Sequence, residues 1–347
     1  MNIISALKVL RVFQRMRRLQ PTFVSYNISN ACNEACPMCA IWKRGGEVLS
    51  LDEMERIFRD LKRFGFLVVE ISGGEPFLRP EIFDAFAMLD RVGFIYTTTT
   101  NGTLLTPESI QRLRNLKGLL QMAVSIDSLD RENYHRLRGR DLLPTVLENI
   151  EQLVRARLPF PVKLNLTMSR FNYRETMDIF AFAKSHKLHL SVFPVNQGEG
   201  FLHRSHADEY QAGEAERLEM SLLFRELARL RRNGEPLWEY SGFYEKAADY
   251  VLGRPVGQCD AGQLYIDIHA DGGVSVCVDQ PVVADLRSES IAELWPKLTA
   301  ARGNASKCSA VTPCFYTCTY NISMTARNES DFLKETARVR LSQYLRR

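Results

Sequence analysis

From residue 22 to about residue 232 the chain alternates between short apolar runs and longer segments of helical period. Runs at 22–29, 67–72, 94–100, 120–126, 162–168 and 188–194 read as strands. Between them, helical patterns begin at Leu51, near Pro80, after Thr106, over 141–157, from Tyr173, and over a charged stretch around 207–232. Several of these starts are signposted. Ser50 with Glu53 makes a capping box, Thr106 precedes Pro107 at a first helical position, and Asn172 precedes Glu175 by three. Six βα units in succession predict parallel strands with helices outside them. An eight-unit barrel would need two more units, so the expected fold is α/β, an open (β/α)6 partial barrel.

The pattern changes at both ends. Over residues 1–20, Lys8, Arg11, Arg15 and Arg18 fall on one side of a helical wheel, and Val9, Val12, Phe13, Met16 and Leu19 on the other. This is an amphipathic helix stopped by Pro21. It has two readings, packing on the barrel or attachment to an anionic membrane surface with access to a lipid-like substrate. Past Pro236, residues 263–279 read as a hairpin turned by Asp271-Gly272-Gly273, followed by a short amphipathic helix, a cysteine-rich loop and a final charged helix. The expected division is therefore an N-terminal helix (1–20), a barrel (21–235) and a small second domain (236–347).

Composition excludes several classes. No run of about 18 apolar residues exists, and basic residues interrupt the N-terminal apolar stretch, so neither a spanning helix nor a secretory signal is expected. The net charge of +4 is carried by the first 20 residues, which argues against a nucleic-acid-binding stripe. A cytoplasmic chain, with peripheral contact at the inner membrane face under the second reading of the helix, keeps its thiols reduced. The eight cysteines then read as metal ligands or reactive thiols.

Three of them, Cys32, Cys36 and Cys39, share one loop directly after the first strand, where α/β folds place their active sites. Three thiolates leave one corner of a 4Fe–4S cubane open, and open coordination marks a reactive site. Spacing alone leaves a zinc site or chance clustering as alternatives.

The run 32-CNEACPMC-39 resembles the CxxxCxxC signature of the radical S-adenosylmethionine (SAM) superfamily. Supporting motifs follow in strand order: 72-SGGEP-76 after the second strand, TTTTNGT after the third, and 124-VSIDSLD-130 after the fourth. DSLDRENYHRLRGR with VKLNLTMSRFN looks like the molybdenum-cofactor GTP cyclase branch. The resemblance, strong over about 22–200, implies that Cys32, Cys36 and Cys39 hold a 4Fe–4S cluster whose free iron is chelated by SAM. It assigns SAM contacts to Gly73, Gly74, Glu75 and Asn101, to Ser125 and Asp127 at the ribose, to Arg138 and Asn165, and to Met38 against adenine. Gly73 and Gly74 would let backbone approach the ligand closely.

Cys259, Cys277 and 308-CSAVTPCFYTC-318, with DLRSESIAELW between, are similar to the superfamily's SPASM/twitch extension. That similarity implies one auxiliary 4Fe–4S cluster on Cys259, Cys277 and Cys318, with Cys314 or Cys308 as fourth ligand. A structural zinc site is the plainer alternative. Taken together, the resemblance implies an enzyme that reductively cleaves SAM to a 5′-deoxyadenosyl radical and takes hydrogen from an unactivated C–H bond, giving oxidation or a new bond. It also implies an electron donor such as flavodoxin or ferredoxin. The substrate is left open between a lipid-like molecule, a peptide and a small polar molecule. The cyclase reaction itself is not expected, because the C-terminal Gly-Gly of that branch is missing. A non-catalytic metal-binding scaffold is the alternative of another class. No catalytic acid or base stands out, since Asn27, Tyr96, Thr167 and Asn196 are only some of the polar residues expected to line the barrel.

Overall fold

The computed structural model describes residues 3–196, 207–210, 212–311, 314–315 and 320–345, and within them all side chains except those of 3–8, 207–208, 303–311, 329 and 339–345. Strands β1 (Phe23–Asn27), β2 (Val68–Ser72), β3 (Ile95–Thr100), β4 (Leu119–Ser125), β5 (Val162–Met168) and β6 (His189–Pro194) pair in chain order, all parallel. A seventh strand, β7 (Tyr265–Ile268), pairs parallel to β1 at the other edge, with Phe23 opposite Tyr265. β8 (Gly273–Ser275) and β9 (Ala284–Asp285) complete the sheet antiparallel. The sheet is an unclosed partial barrel. Asp271-Gly272 does turn the β7–β8 hairpin, but its first strand extends the barrel sheet across residue 236.

Alternation along the strands separates two faces. Tyr26 and Tyr96 point outward under helices α2 (Leu51–Phe64) and α3 (Ile82–Val92), where Tyr26 packs on Phe58 at 5.3 Å and Tyr96 on Phe86 at 5.5 Å. Tyr96 is therefore no lumen residue, and its hydroxyl donates to Asp90 at 3.1 Å. Ser25, Glu70, Thr97, Gln121, Lys163 and Asn165 face the lumen, giving the barrel a polar interior.

The capping box is present, with Glu53 N donating to Ser50 Oγ and Ser50 N to Glu53 Oε2, and Thr106 caps the next helix as expected. Asn172 does not act as a cap. Its side chain accepts from Ser169 N and donates to the carbonyls of Asp127 and Thr167, joining two loops at the strand ends.

The N-terminal helix, Ile3–Arg17, lies across the barrel floor. Val12 (8% exposed) and Met16 (4%) are buried in the core, and with Val9 and Phe13 they line the lower end of the lumen beside Phe23, Val68 and Ile95, the first residues of their strands. Much of the apolar face that membrane attachment would use is thus occupied by the protein itself, which favours packing on the barrel. Arg15 turns inward too, donating from Nε and Nη2 to the Pro21 carbonyl. Among the described residues no helix is long and apolar enough to cross a membrane.

Candidate active site

The three-cysteine loop is held by backbone from both flanks. Ser29 and Ala31 accept hydrogen bonds from Gly74 N (2.7 Å) and Glu75 N (2.8 Å), while Ala35 N donates to the Arg138 carbonyl. A Cβ on Gly73, whose φ is +129°, would lie 2.4 Å from the Ser29 oxygen, and one on Gly74 would lie 2.0 Å from the Ala31 oxygen. What comes close to the missing side chains within the protein is the cysteine loop. Gly139, at φ +68°, does the same on the far side, where a Cβ would meet the Ala35 oxygen at 2.3 Å. Sequence reading missed Gly139, although a glycine after the helical stretch RENYHRLR is a C-cap signal.

Glu75 is buried and accepts from Thr100 Oγ1 (2.7 Å), Asn101 N (2.7 Å) and Phe77 N (3.0 Å). Burial pushes its carboxyl up to about 7, against the pull of those donors. It ties β2 to β3 at their ends. Asn101 in turn donates to Asn33 Oδ1 at 2.8 Å, fixing the cysteine loop to β3.

Asp127 and Arg138 meet in a buried ion pair, Arg138 Nη2 to Asp127 Oδ2 at 2.8 Å, and Asp127 Oδ1 accepts from Thr167 N. Arg138 also contacts Glu34 at 3.3 Å, and Tyr134 Oη donates to Glu34 Oε1 at 2.7 Å. Burial works against the guanidinium charge, but Asp127 and Glu34 outweigh it and hold Arg138 well above its ordinary range. Glu34 and Tyr134 were not foreseen; an acid between two cysteines was the available signal. Ser125 stands opposite Asn165 in the β4–β5 register, and Asn165 Oδ1 is buried without a hydrogen bond. Met38 packs in a small apolar cluster with Leu137, Val195 and Tyr210.

Burial is also the main influence on the three thiols, pushing Cys32 up to about 11 and raising Cys36 and Cys39. A charge on Cys39 is felt at both of the others, so the three share one electrostatic neighbourhood. Thiols in this state ionise only when a cation binds them, and the donor set suits an iron–sulfur group. Among the described residues no three His, Cys, Asp or Glu side chains converge on a single ion.

The second thiol group lies at the opposite end of the lumen. Cys277 follows β8 and Cys259 precedes β7, with Cys259 Sγ 3.0 Å from Tyr265 Oη at the start of that strand. Charges on Cys259 and Cys314 both act on Cys277, whose thiol is raised first by burial. The structure thus brings Cys259, Cys277 and Cys314 together. Cys318 and the side chain of Cys308 lie outside the described residues. Inside the barrel lies a cavity of about 280 Å³, lined by inner-face residues of β1–β6 and by the N-terminal helix below.

Residues 26–183 match the model of the Radical SAM superfamily. An AdoMet-dependent heme synthase of Methanosarcina barkeri is 31% identical over 172 residues, 47% of this chain and 47% of that protein. A probable GTP 3′,8-cyclase of Methanothermobacter marburgensis is 33% identical over 173 residues, 49% of this chain and 56% of that protein. The matches thus span about half the length of these curated relatives. Among solved structures, Streptococcus suis SuiB bound to S-adenosylmethionine has a TM-score of 0.65 at 17% identity, over 85% of this chain and 71% of that one. Native anSMEcpe with bound AdoMet and Cp18Cys peptide has a TM-score of 0.65 at 16% identity, over 94% and 99%. At these identities the likeness is one of fold, and it extends past the barrel into the C-terminal region.

Proposed function

Since residues 26–183 of this chain form a radical SAM domain, we propose that the protein is an enzyme that binds SAM at the rim of the barrel and takes hydrogen from a C–H bond of a substrate held in the lumen. The observation that carries this reading is a loop of three neighbouring thiols after β1, Cys36 buried and Cys32 and Cys39 half-buried, in which a charge on Cys39 is felt at both of the others. The radical SAM family uses a 4Fe–4S cluster and SAM, and the chemistry these supply is reductive cleavage of SAM to a 5′-deoxyadenosyl radical. Here Cys32, Cys36 and Cys39 would hold the cluster.

The chain's own residues position and shield. Gly73, Gly74 and Gly139 let the cysteine loop sit against backbone on both sides, so the thiols keep one arrangement. Glu75 and Asn101 brace that loop from the ends of β2 and β3, and Arg138 with Asp127 and Glu34 closes it from the side. Ser125 and Asn165 present polar atoms from adjacent strands and Met38 an apolar one, and these are the residues we assign to SAM itself. The N-terminal helix excludes water from the floor.

Cys259, Cys277 and Cys314, with Cys308 or Cys318, would hold a second cluster at the floor, suited to accept an electron from the substrate and so favour oxidation or bond formation. A reductant is required, and flavodoxin or ferredoxin fits that role. Anaerobic reconstitution with iron and sulfide, then reduction with SAM present, tests the reading: 5′-deoxyadenosine is expected. A colourless zinc protein with no such product would sink it.

A further inference from the structure

Resting on that reading, we infer that Glu34 and Tyr134 are positioning residues that act through the cluster on Cys32, Cys36 and Cys39: they hold a negative charge against Cys36 and so keep that cluster's reduction potential low. Glu34 sits between two of the ligand cysteines in sequence, yet it turns inward and is only 3% exposed. Its Oε2 lies 3.8 Å from Cys36 Sγ and 3.3 Å from Arg138 Nη1, and its Oε1 accepts from Tyr134 Oη at 2.7 Å. Tyr134 and Arg138 come from one helix, Arg131–Arg138, 100 and 104 positions further along the chain. Arg138 is shared. Its Nη2 meets Asp127 at 2.8 Å, so Glu34 has the longer of its two ion pairs.

Anchoring the loop does not require this acid. Backbone already does so: Ala35 N donates to the Arg138 carbonyl at 3.0 Å, and Gly139 lets the Ala35 oxygen approach closely. A buried carboxylate beside sulfur is costly, and an apolar side chain would fill the same space without that penalty. What the acid supplies and an apolar residue would not is charge. As a thiol, Cys36 donates to Glu34; ligation to iron removes that proton and leaves the carboxylate facing a thiolate. The Glu34 charge is felt at Cys32 as well as at Cys36, and Arg138 opposes it at Cys36. An electron added to a cluster on these thiolates brings further negative charge beside Glu34. The acid therefore disfavours reduction and makes the reduced state a stronger donor. A strong donor is what reductive cleavage of SAM calls for. Tyr134 fixes the carboxylate by its hydrogen bond and adds no charge of its own.

The test is a redox titration of the anaerobic, cluster-loaded full chain, followed by electron paramagnetic resonance and read on the signal that changes when SAM is added. Glu34→Gln keeps the side chain's shape and removes its charge, and it is expected to raise the midpoint potential. At a fixed potential the ratio of reduced to oxidised cluster should rise at least about tenfold, which is about 59 mV for one electron. Tyr134→Phe keeps the charge, and its potential is expected at or below the wild-type value. Both variants are expected to hold wild-type amounts of iron. An unchanged potential in Glu34→Gln, or an equal rise in Tyr134→Phe, would overturn the assignment. Loss of iron in either variant would overturn it too, by making the pair an anchor of the loop. A wild-type preparation with no SAM-responsive signal counts against the enzyme reading. A SAM-responsive signal whose potential is indifferent to Glu34→Gln counts against the charge assignment alone.

Discussion

Gly74 shows how little room the site allows at a single residue. A Cβ there would fall 2.0 Å from the Ala31 carbonyl oxygen, and the atom it meets is backbone that cannot swing aside. Gly74→Ala should therefore displace the cysteine loop, costing about 1–3 kcal/mol as an overpacked site does. Iron bound at the N-terminal site is expected to fall in that variant while the barrel's circular dichroism is kept; undiminished iron would show that the loop tolerates the shift. Asp267 gives a pH prediction. Its carboxyl is raised from 3.8 to about 7 by burial, so between roughly pH 4 and 7 the folded chain keeps a proton that the unfolded chain has lost. Its contribution is stabilising below that window and disappears as pH rises through about 7. Urea midpoints measured from pH 5 to 8 should fall with rising pH in the apo chain, and Asp267→Asn should flatten the slope.

At the scale of elements, the N-terminal helix decides the character of the barrel floor. Val12 and Met16 are buried against the openings of β1, β2 and β3, and Phe13 lies 6.2 Å from Phe332 of the C-terminal helix Glu329–Leu345. Met16→Ala should cost about 2–5 kcal/mol, as for other large-to-small core changes. Deleting residues 1–20 should lower the melting temperature and add no salt-sensitive liposome binding. Salt-dependent co-sedimentation of the full chain with an unchanged melt on truncation would instead restore a membrane-facing helix. The helix was legible as amphipathic, but which partner took its apolar face was not, because periodicity reports that a face is apolar and says nothing of what lies opposite.

For the whole molecule, the two thiol groups, one after β1 and one beside the start of β7, predict two separable clusters. Iron should approach about eight per chain in wild type and about four when Cys32, Cys36 and Cys39 are all replaced by Ala, because each cubane holds four. Replacing Cys314 should remove the second group's iron alone; a triple variant with no iron left would show that the two sites are not independent. The order of strands was readable because each βα unit carries its own period and its own caps, and the cysteine loop because its spacing is local. Those signals depend on neighbours in sequence. Three other features depended on residues far apart along the chain. Gly73 and Gly74 serve the Ser29–Ala31 backbone, Arg138 is tied to Glu34 across about a hundred positions, and Asp267 comes beside Ser25 only when β7 pairs with β1. The sequence by itself determined the strand order, the caps and the triad of thiols, since these are written in local periodicity and spacing. Only the tertiary structure decided what the glycines pack against, which face the N-terminal helix buries, and which residues surround Asp267, because each follows from a pairing that chain folding creates.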